Sequence, residues 1–221
     1  MPGKFSQLAD WRNASSFPQP LGVLPAEAPS FFVTAMRSAR ILRLGEDGSR
    51  ELVSMRWGFS KPGGDPAAAG HMHARSETVD SKPRFCDAFG ERRCVIVADT
   101  FNVGEKLPTG KTRQWVIRPK DRKPVAMAAI WEDLHDEGQP AFLMLTVDAN
   151  PLVARAEDRM PAILDQKDWP VWLGEIDAPF KEIKALLRTF DDQGNWEMVE
   201  QDKLKSAKPP APKPPPQLDL F

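Results

Sequence analysis

The chain has 221 residues, 41% of them hydrophobic, which is enough for one sizeable core and gives no sign of a second. Lys and Arg total 30 against 31 Asp and Glu, a formal net charge of −1, so a broadly basic nucleic-acid-binding face is excluded and any DNA contact has to come from a local patch. The N-terminus lacks the basic-then-apolar order of a signal peptide, and no apolar run approaches the ~18 residues that span a bilayer, so a cytoplasmic, nucleoid-associated protein without membrane contact is expected.

The first clear element is a hairpin over residues 40 to 57. Ile41, Leu42 and Leu44 precede Glu46-Asp47-Gly48, and Leu52, Val53 and Met55 follow it, with Asp-Gly supplying the turn. Further strand-like runs lie at 92 to 98, 113 to 118, 125 to 131 and 141 to 147, spaced as an antiparallel, mostly β architecture with helices laid around it. A helix is predicted from Asp177, with Asp as N-cap, Pro179 in the first turn, and Phe180, Ile183, Leu187 and Phe190 on one core-facing side.

Cys86 and Cys94 form neither a CxxC nor a disulfide framework. Cys94, in the apolar run Arg93-Cys94-Val95-Ile96-Val97, reads as a small buried hydrophobe rather than a nucleophile. His71 and His73 lie two apart on one strand face, which could begin a metal site; with no further His nearby and His135 in an acidic stretch, neither a metal nor another cofactor is expected.

After about Gln201 the composition changes. Residues 201–221 hold six prolines, four lysines and two acids, so the tail carries +2 and leaves −3 for residues 1–200. A segment of that composition cannot bury enough apolar surface to fold alone, and a disordered linker is expected over 201–216. The last five residues, Gln217-Leu218-Asp219-Leu220-Phe221, resemble the short peptide by which bacterial repair and replication proteins dock on the sliding clamp. Leu220 and Phe221 would enter apolar pockets, Gln217 would satisfy backbone groups, Leu218 would complete the docking contact, and the polyproline spacer from Lys208 to Pro216 would reach ~28 Å at ~3.1 Å per residue.

Four runs occur in a fixed order: Met55-Arg56-Trp57-Gly58-Phe59; His73-Ala74-Arg75-Ser76-Glu77-Thr78; Arg92-Arg93-Cys94 leading into Ala98-Asp99-Thr100-Phe101; and Asp158-Arg159-Met160-Pro161-Ala162-Ile163-Leu164. Together they resemble the SRAP family, the SOS-response-associated peptidase-like proteins, over about residues 1–200. The resemblance implies an α+β fold, a mostly antiparallel, open β-barrel-like body with peripheral helices. It also implies a monomer that grips single-stranded DNA and links covalently to abasic sites through a cysteine exposed when the initiator Met is removed. No Ser/His/Asp arrangement or zinc motif supports a general peptidase.

Each departure from the family falls on a reactive position. Residue 2 is Pro2 where the family has Cys; His73 replaces the Asn before Ala-Arg; Val103 stands where a Glu is expected; Glu157 replaces the His two before the Arg of Arg-Met-Pro. Whether the chain is an enzyme therefore stays open. One reading is an abasic-site-binding protein of the damage response that has lost or altered its covalent chemistry and is tethered to the clamp. Another is an abasic-site lyase or transient crosslinker, with the Pro2 amine as nucleophile, Glu157 as proton shuttle and His73 beside them. A third is a non-catalytic module that recruits other repair proteins. For DNA contact the resemblance carries over Lys4, Arg75 and Arg159 as phosphate holders and Trp57 with Met160-Pro161 as a wedge against an unstacked base, with core packing as the competing reading for Trp57. Arg84, Arg92 and Arg93 would extend the groove.

Overall fold

The structure, a computed structural model of the chain, describes residues 1–7, 32–61, 69–133 and 140–206. The described strands are β1 (Lys4–Ser6), β2 (Val33–Thr34), β3 (Ser38–Leu44), β4 (Arg50–Trp57), β5 (Phe59–Ser60), β6 (Ala69–His71), β7 (His73–Arg75), β8 (Arg93–Ala98), β9 (Thr100–Lys106), β10 (Thr112–Pro119), β11 (Val125–Glu132), β12 (Ala141–Asp148), β13 (Arg159–Pro161), β14 (Ile163–Leu164) and β15 (Trp196–Glu200). The α-helices are short: α1 (Cys86–Glu91), α2 (Trp169–Leu173), α3 (Phe180–Ala185) and α4 (Gln201–Ser206). The fold is mostly β with few helices.

The expected hairpin is β3–β4, paired from Ser38↔Arg56 to Leu44↔Arg50. Its turn is closed by Gly48 at φ 76°, a left-handed conformation that favours glycine, and by Asp47 Oδ1, which accepts from the Ser49 amide at 2.9 Å. The apolar runs at β8, β11 and β12 are buried along nearly their whole length. Strands covered on both faces read as continuous hydrophobic runs rather than alternating ones. Ile96, Met127, Ile130 and Leu143 are fully buried there, each worth about 1.5–3 kcal/mol of transfer free energy. Cys94 lies among them with its thiol pushed well up by burial, as a small hydrophobe.

Two sheets carry most of the chain. One has the order β15-β10-β9-β1-β2 and is antiparallel throughout; the other runs β13-β12-β4-β3-β8-β11-β14, with β7 beside β12. Because β11 also pairs with β12, the path β12-β4-β3-β8-β11 returns on itself and forms a ring of five strands. The pairings of β12 with β4 and with β7 are parallel, which makes this sheet mixed.

Two sequence expectations are corrected. The helix expected from Asp177 spans only Phe180–Ala185, with Pro179 in extended conformation at its N-cap and no side-chain cap. Ile183 and Leu187 are buried, but Phe180 is exposed at its own end and packs edge-on to Phe89. Phe190 lies beyond the helix, against the Trp196 ring at 4.4 Å. The four residues therefore share no single helix face. The linker expected from residue 201 begins with α4, packed on β10 and β15, so the folded body continues past the change in composition. The remainder of the linker, the docking peptide Gln217, Leu218, Leu220 and Phe221, and His135 lie outside the described residues.

Candidate nucleic-acid interface at the N-terminal pocket

The N-terminal strand is strapped to both sheets, and this fixes where the chain begins. β1 pairs antiparallel with β9, Lys4↔Asn102 to Ser6↔Thr100, and the Gly3 amide donates to the Asn102 carbonyl at 3.2 Å. Ser6 Oγ and Thr100 Oγ1 share a buried hydrogen bond of 2.7 Å. The Gln7 amide bridges to the other sheet, donating to the carbonyls of Arg40 at 2.9 Å and Val97 at 2.8 Å and accepting from the Arg40 amide at 3.1 Å. Every polar atom of that side chain is satisfied, as a buried amide requires.

Beneath this strap lies Trp57, fully buried. Its ring meets Phe5 at 5.2 Å, stacks over Phe142 at 6.3 Å and takes His73 edge-on at 5.6 Å, while Nε1 donates to the Met72 carbonyl at 2.9 Å. One indole thus locks the N-terminal strand, β7 and the strand ring together. Above it opens a pocket of about 430 Å³ lined by Met1, Pro2, Gly3 and residues 70–73.

The three candidates for chemistry meet here. The terminal ammonium on Met1 forms an ion pair with Glu157, whose side chain is 21% exposed. Glu157 is set between the 3-10 turn Val153–Arg155 and β13, its amide donating to the Val153 carbonyl at 3.1 Å. The neighbouring Asp158 carboxyl is held below its usual range, first by its side-chain contact with Glu157 and then by the terminal charge. Pro2 is buried, and its carbonyl adjoins the His73 ring. Burial, with the terminal charge adding to it, depresses His73 to about 4 against the smaller opposing effect of the Pro2 carbonyl. His73 is therefore a neutral imidazole near pH 7, and its Nε2 is buried without a hydrogen-bond partner. Val103 is buried on β9, an apolar side chain with no part in proton transfer.

The pocket rim is basic. His71 is depressed first by burial and then by the charges of Arg84, Lys82 and Lys61. Lys61 and Lys82 are exposed. Arg75, at the end of β7, is also exposed, and among the described residues its side chain has no ion pair; the nearby Glu77 binds Arg159. Lys4 lies over the Phe32 ring at 5.6 Å. Sequence reasoning missed Lys61 and Lys82, which carry no motif and come near His71 only through the fold.

Several expected DNA contacts are spoken for by the protein. Trp57 and Met160 have no exposed surface and Pro161 is buried, so none of them presents a face to an unstacked base. The core reading of Trp57 is the one realised. Arg159, its side chain only 8% exposed, donates to both Glu77 carboxylate oxygens at 2.8 and 3.0 Å, to Asp148 at 2.5 Å and to the Thr146 carbonyl at 2.6 Å. It is a structural clamp between β12, β13 and the segment after β7, not a phosphate holder. Arg93 is likewise used on the carbonyls of Trp172 and Phe89, Arg84 on Glu132, and Arg92 on Glu91. Among the described residues no cluster of three His, Cys, Asp or Glu side chains could hold a metal, and no helix is long and apolar enough to cross a membrane.

Comparison with known proteins identifies the family and the fold. The abasic site processing protein YoqW of Bacillus subtilis is 30% identical over 169 residues, covering 74% of this chain and 75% of that protein. The abasic site processing protein HMCES of Gallus gallus is 28% identical over 176 residues, covering 66% of this chain but only 52% of that longer protein. Crystal structures of proteins from Bacteroides thetaiotaomicron and Bordetella bronchiseptica share the fold, with TM-scores of 0.74 and 0.73 at 22% and 20% identity; the matches cover 92% and 90% of this chain and 94% and 98% of theirs. The SOS response associated peptidase (SRAP) family model matches residues 1–204, and the chain is a member of that family.

Proposed function

We propose that the chain binds abasic sites in single-stranded DNA as part of the DNA-damage response, with the lesion seated in the N-terminal pocket and the flanking phosphates along its basic rim. The observation that carries this reading is the open pocket at the chain start, set against the Trp57 cluster, with the charges of Arg84, Lys82 and Lys61 bearing on its lining residue His71 in a protein of net charge −1. A local basic edge on an otherwise acidic body confines phosphate contact to the stretch of backbone beside the pocket. The relatives named for abasic site processing supply the lesion. The C-terminal peptide Gln217 to Phe221 docks on the sliding clamp and delivers the domain to stalled replication. Because Pro2 carries no thiol, the durable ring-closed link of a terminal cysteine is lost.

Neutralising the rim tests this. Arg75→Ala weakens binding of a single-stranded oligonucleotide and reduces the dependence of log K on log salt by about 1, with melting temperature unchanged. An unchanged salt slope removes Arg75 from the interface.

A further inference from the structure

Gly70 decides what stands beside His71. β5 and β6 pair with Phe59 opposite His71, and a Cβ on Gly70 would lie 2.7 Å from Lys61 Cγ and 2.9 Å from the Lys61 backbone nitrogen. Only a glycine admits the chain leaving β5 this closely, so Lys61 lies against the strand that carries His71. The segment before α1 closes over the same two strands. Phe85 meets the His71 ring edge-on at 5.4 Å, and the Arg84 guanidinium lies over the Phe59 ring at 4.7 Å. Lys82 is two residues earlier and exposed. Arg84 is held by Glu132 at 2.6 Å, yet the charges acting on His71 are all positive, those of Arg84, Lys82 and Lys61. The fold thus presents an exposed imidazole, steadied by Phe85, on the pocket wall among cations.

Resting on the reading that the pocket receives a DNA strand, we propose that His71, with Lys61 and Lys82, forms a phosphodiester site on the pocket wall, and that the imidazole takes up a proton as the phosphate binds. A neutral ring has one N–H to donate, whereas the protonated ring donates from both nitrogens and adds a charge to those of the two lysines. In the free protein partial burial, and then the charges of Arg84, Lys82 and Lys61, hold His71 below its usual range, so near pH 7 the ring is mostly neutral. A phosphate beside it offsets that repulsion and raises the value. By linkage, affinity is lowest where the free and the bound ring are both neutral, rises as pH falls through the bound value, and levels off below the free one. Each unit by which the phosphate raises the ring is worth about tenfold in affinity. Of the other titratable groups at the pocket, His73 titrates at about 4 and the terminal ammonium is paired with Glu157. None of the three is among the charges acting on His71.

The test follows the full-length chain binding a labelled single strand with one abasic site, by fluorescence anisotropy at about pH 8 and about pH 5.5 and constant ionic strength. The parent gains about tenfold in affinity at the lower pH. His71→Gln, with an unchanged melting temperature, stays near the parent's high-pH affinity at both, and His71→Lys, whose charge is fixed, stays near the low-pH affinity at both. The chain has three histidines, so their ring protons resolve by NMR. The titration that disappears in His71→Gln moves upward when the strand is added. Equal pH dependence in the parent and His71→Gln, or a ring titration that does not move with the strand bound, overturns the site and leaves the binding function standing. Inorganic phosphate that raises the ring as far as the strand does makes this a site for the free anion and overturns the strand contact. A strand that binds at neither pH overturns both.

Discussion

Arg159→Ala separates a structural arginine from a DNA-contacting one. The side chain makes four hydrogen bonds of 2.5 to 3.0 Å. Breaking a fully buried ion pair costs about 3–5 kcal/mol, but here Glu77 is 48% and Asp148 82% exposed, and both carboxylates can be rehydrated when the guanidinium goes. What remains is one lost bond to the Thr146 carbonyl, which keeps the Ser76 amide at 2.9 Å, and the lost junction between strands, so the cost falls to about 2–3 kcal/mol. For a domain of this size that lowers the melting temperature by about 4–12 °C. Glu77 is held below its usual range chiefly by its hydrogen bond to Arg159. The contribution of that pair is present at neutral pH and is lost as pH falls through the depressed folded value, so the variant also loses this part of the acid dependence. Thermal melts followed by circular dichroism, with DNA titrations at several salt concentrations, give both readouts. The expected outcome is a large fall in melting temperature with an unchanged salt slope. A melting temperature like that of the parent, with a salt slope smaller by about 1, refutes the structural role and returns Arg159 to the phosphates.

Further outcomes follow from the pocket and the tail. With His73 at about 4 folded and 6.5 in its ordinary state, the unfolded chain binds the proton first, so stability falls as pH drops from about 6.5 towards 4. Between pH 7 and pH 5 the loss is about 2 kcal/mol at most, read by urea unfolding, and His73→Asn flattens it. Trp57→Ala costs about 3–5 kcal/mol and increases hydrogen exchange along β1; a variant of full stability that fails only in DNA binding contradicts the core assignment. Deleting Gln217 to Phe221 abolishes binding to immobilised sliding clamp while single-strand affinity stays the same, and retained clamp binding eliminates the docking peptide.

Local pattern made the ring strands readable. Alternation around Asp47-Gly48 specifies the hairpin, and the apolar runs 92–98, 125–131 and 141–147 specify the buried strands found at 93–98, 125–132 and 141–148, because each signal lies within a few residues of itself. Partnership across the chain was not readable. Arg159 meets Glu77 across 82 positions, and nothing in either segment distinguishes a guanidinium that grips a carboxylate from one that grips a phosphate. Trp57 and Met160 sit in motifs associated with DNA, yet a motif does not state which face of its strand is covered. Composition placed the end of the folded body near residue 200, whereas α4 gains its packing from β10, more than 80 residues earlier in the chain. The convergence of Pro2, His73 and Glu157 was legible only through the family pattern, which aligned three positions that spacing alone could not connect.

The most direct measurement is equilibrium binding of the full-length chain, by fluorescence anisotropy at low ionic strength, to three labelled oligonucleotides of equal length: a single strand with one abasic site, the intact single strand, and the duplex. Affinity should fall in that order. Equal affinity for strand and duplex, or no binding to any of them, contradicts the pocket as a single-strand lesion site.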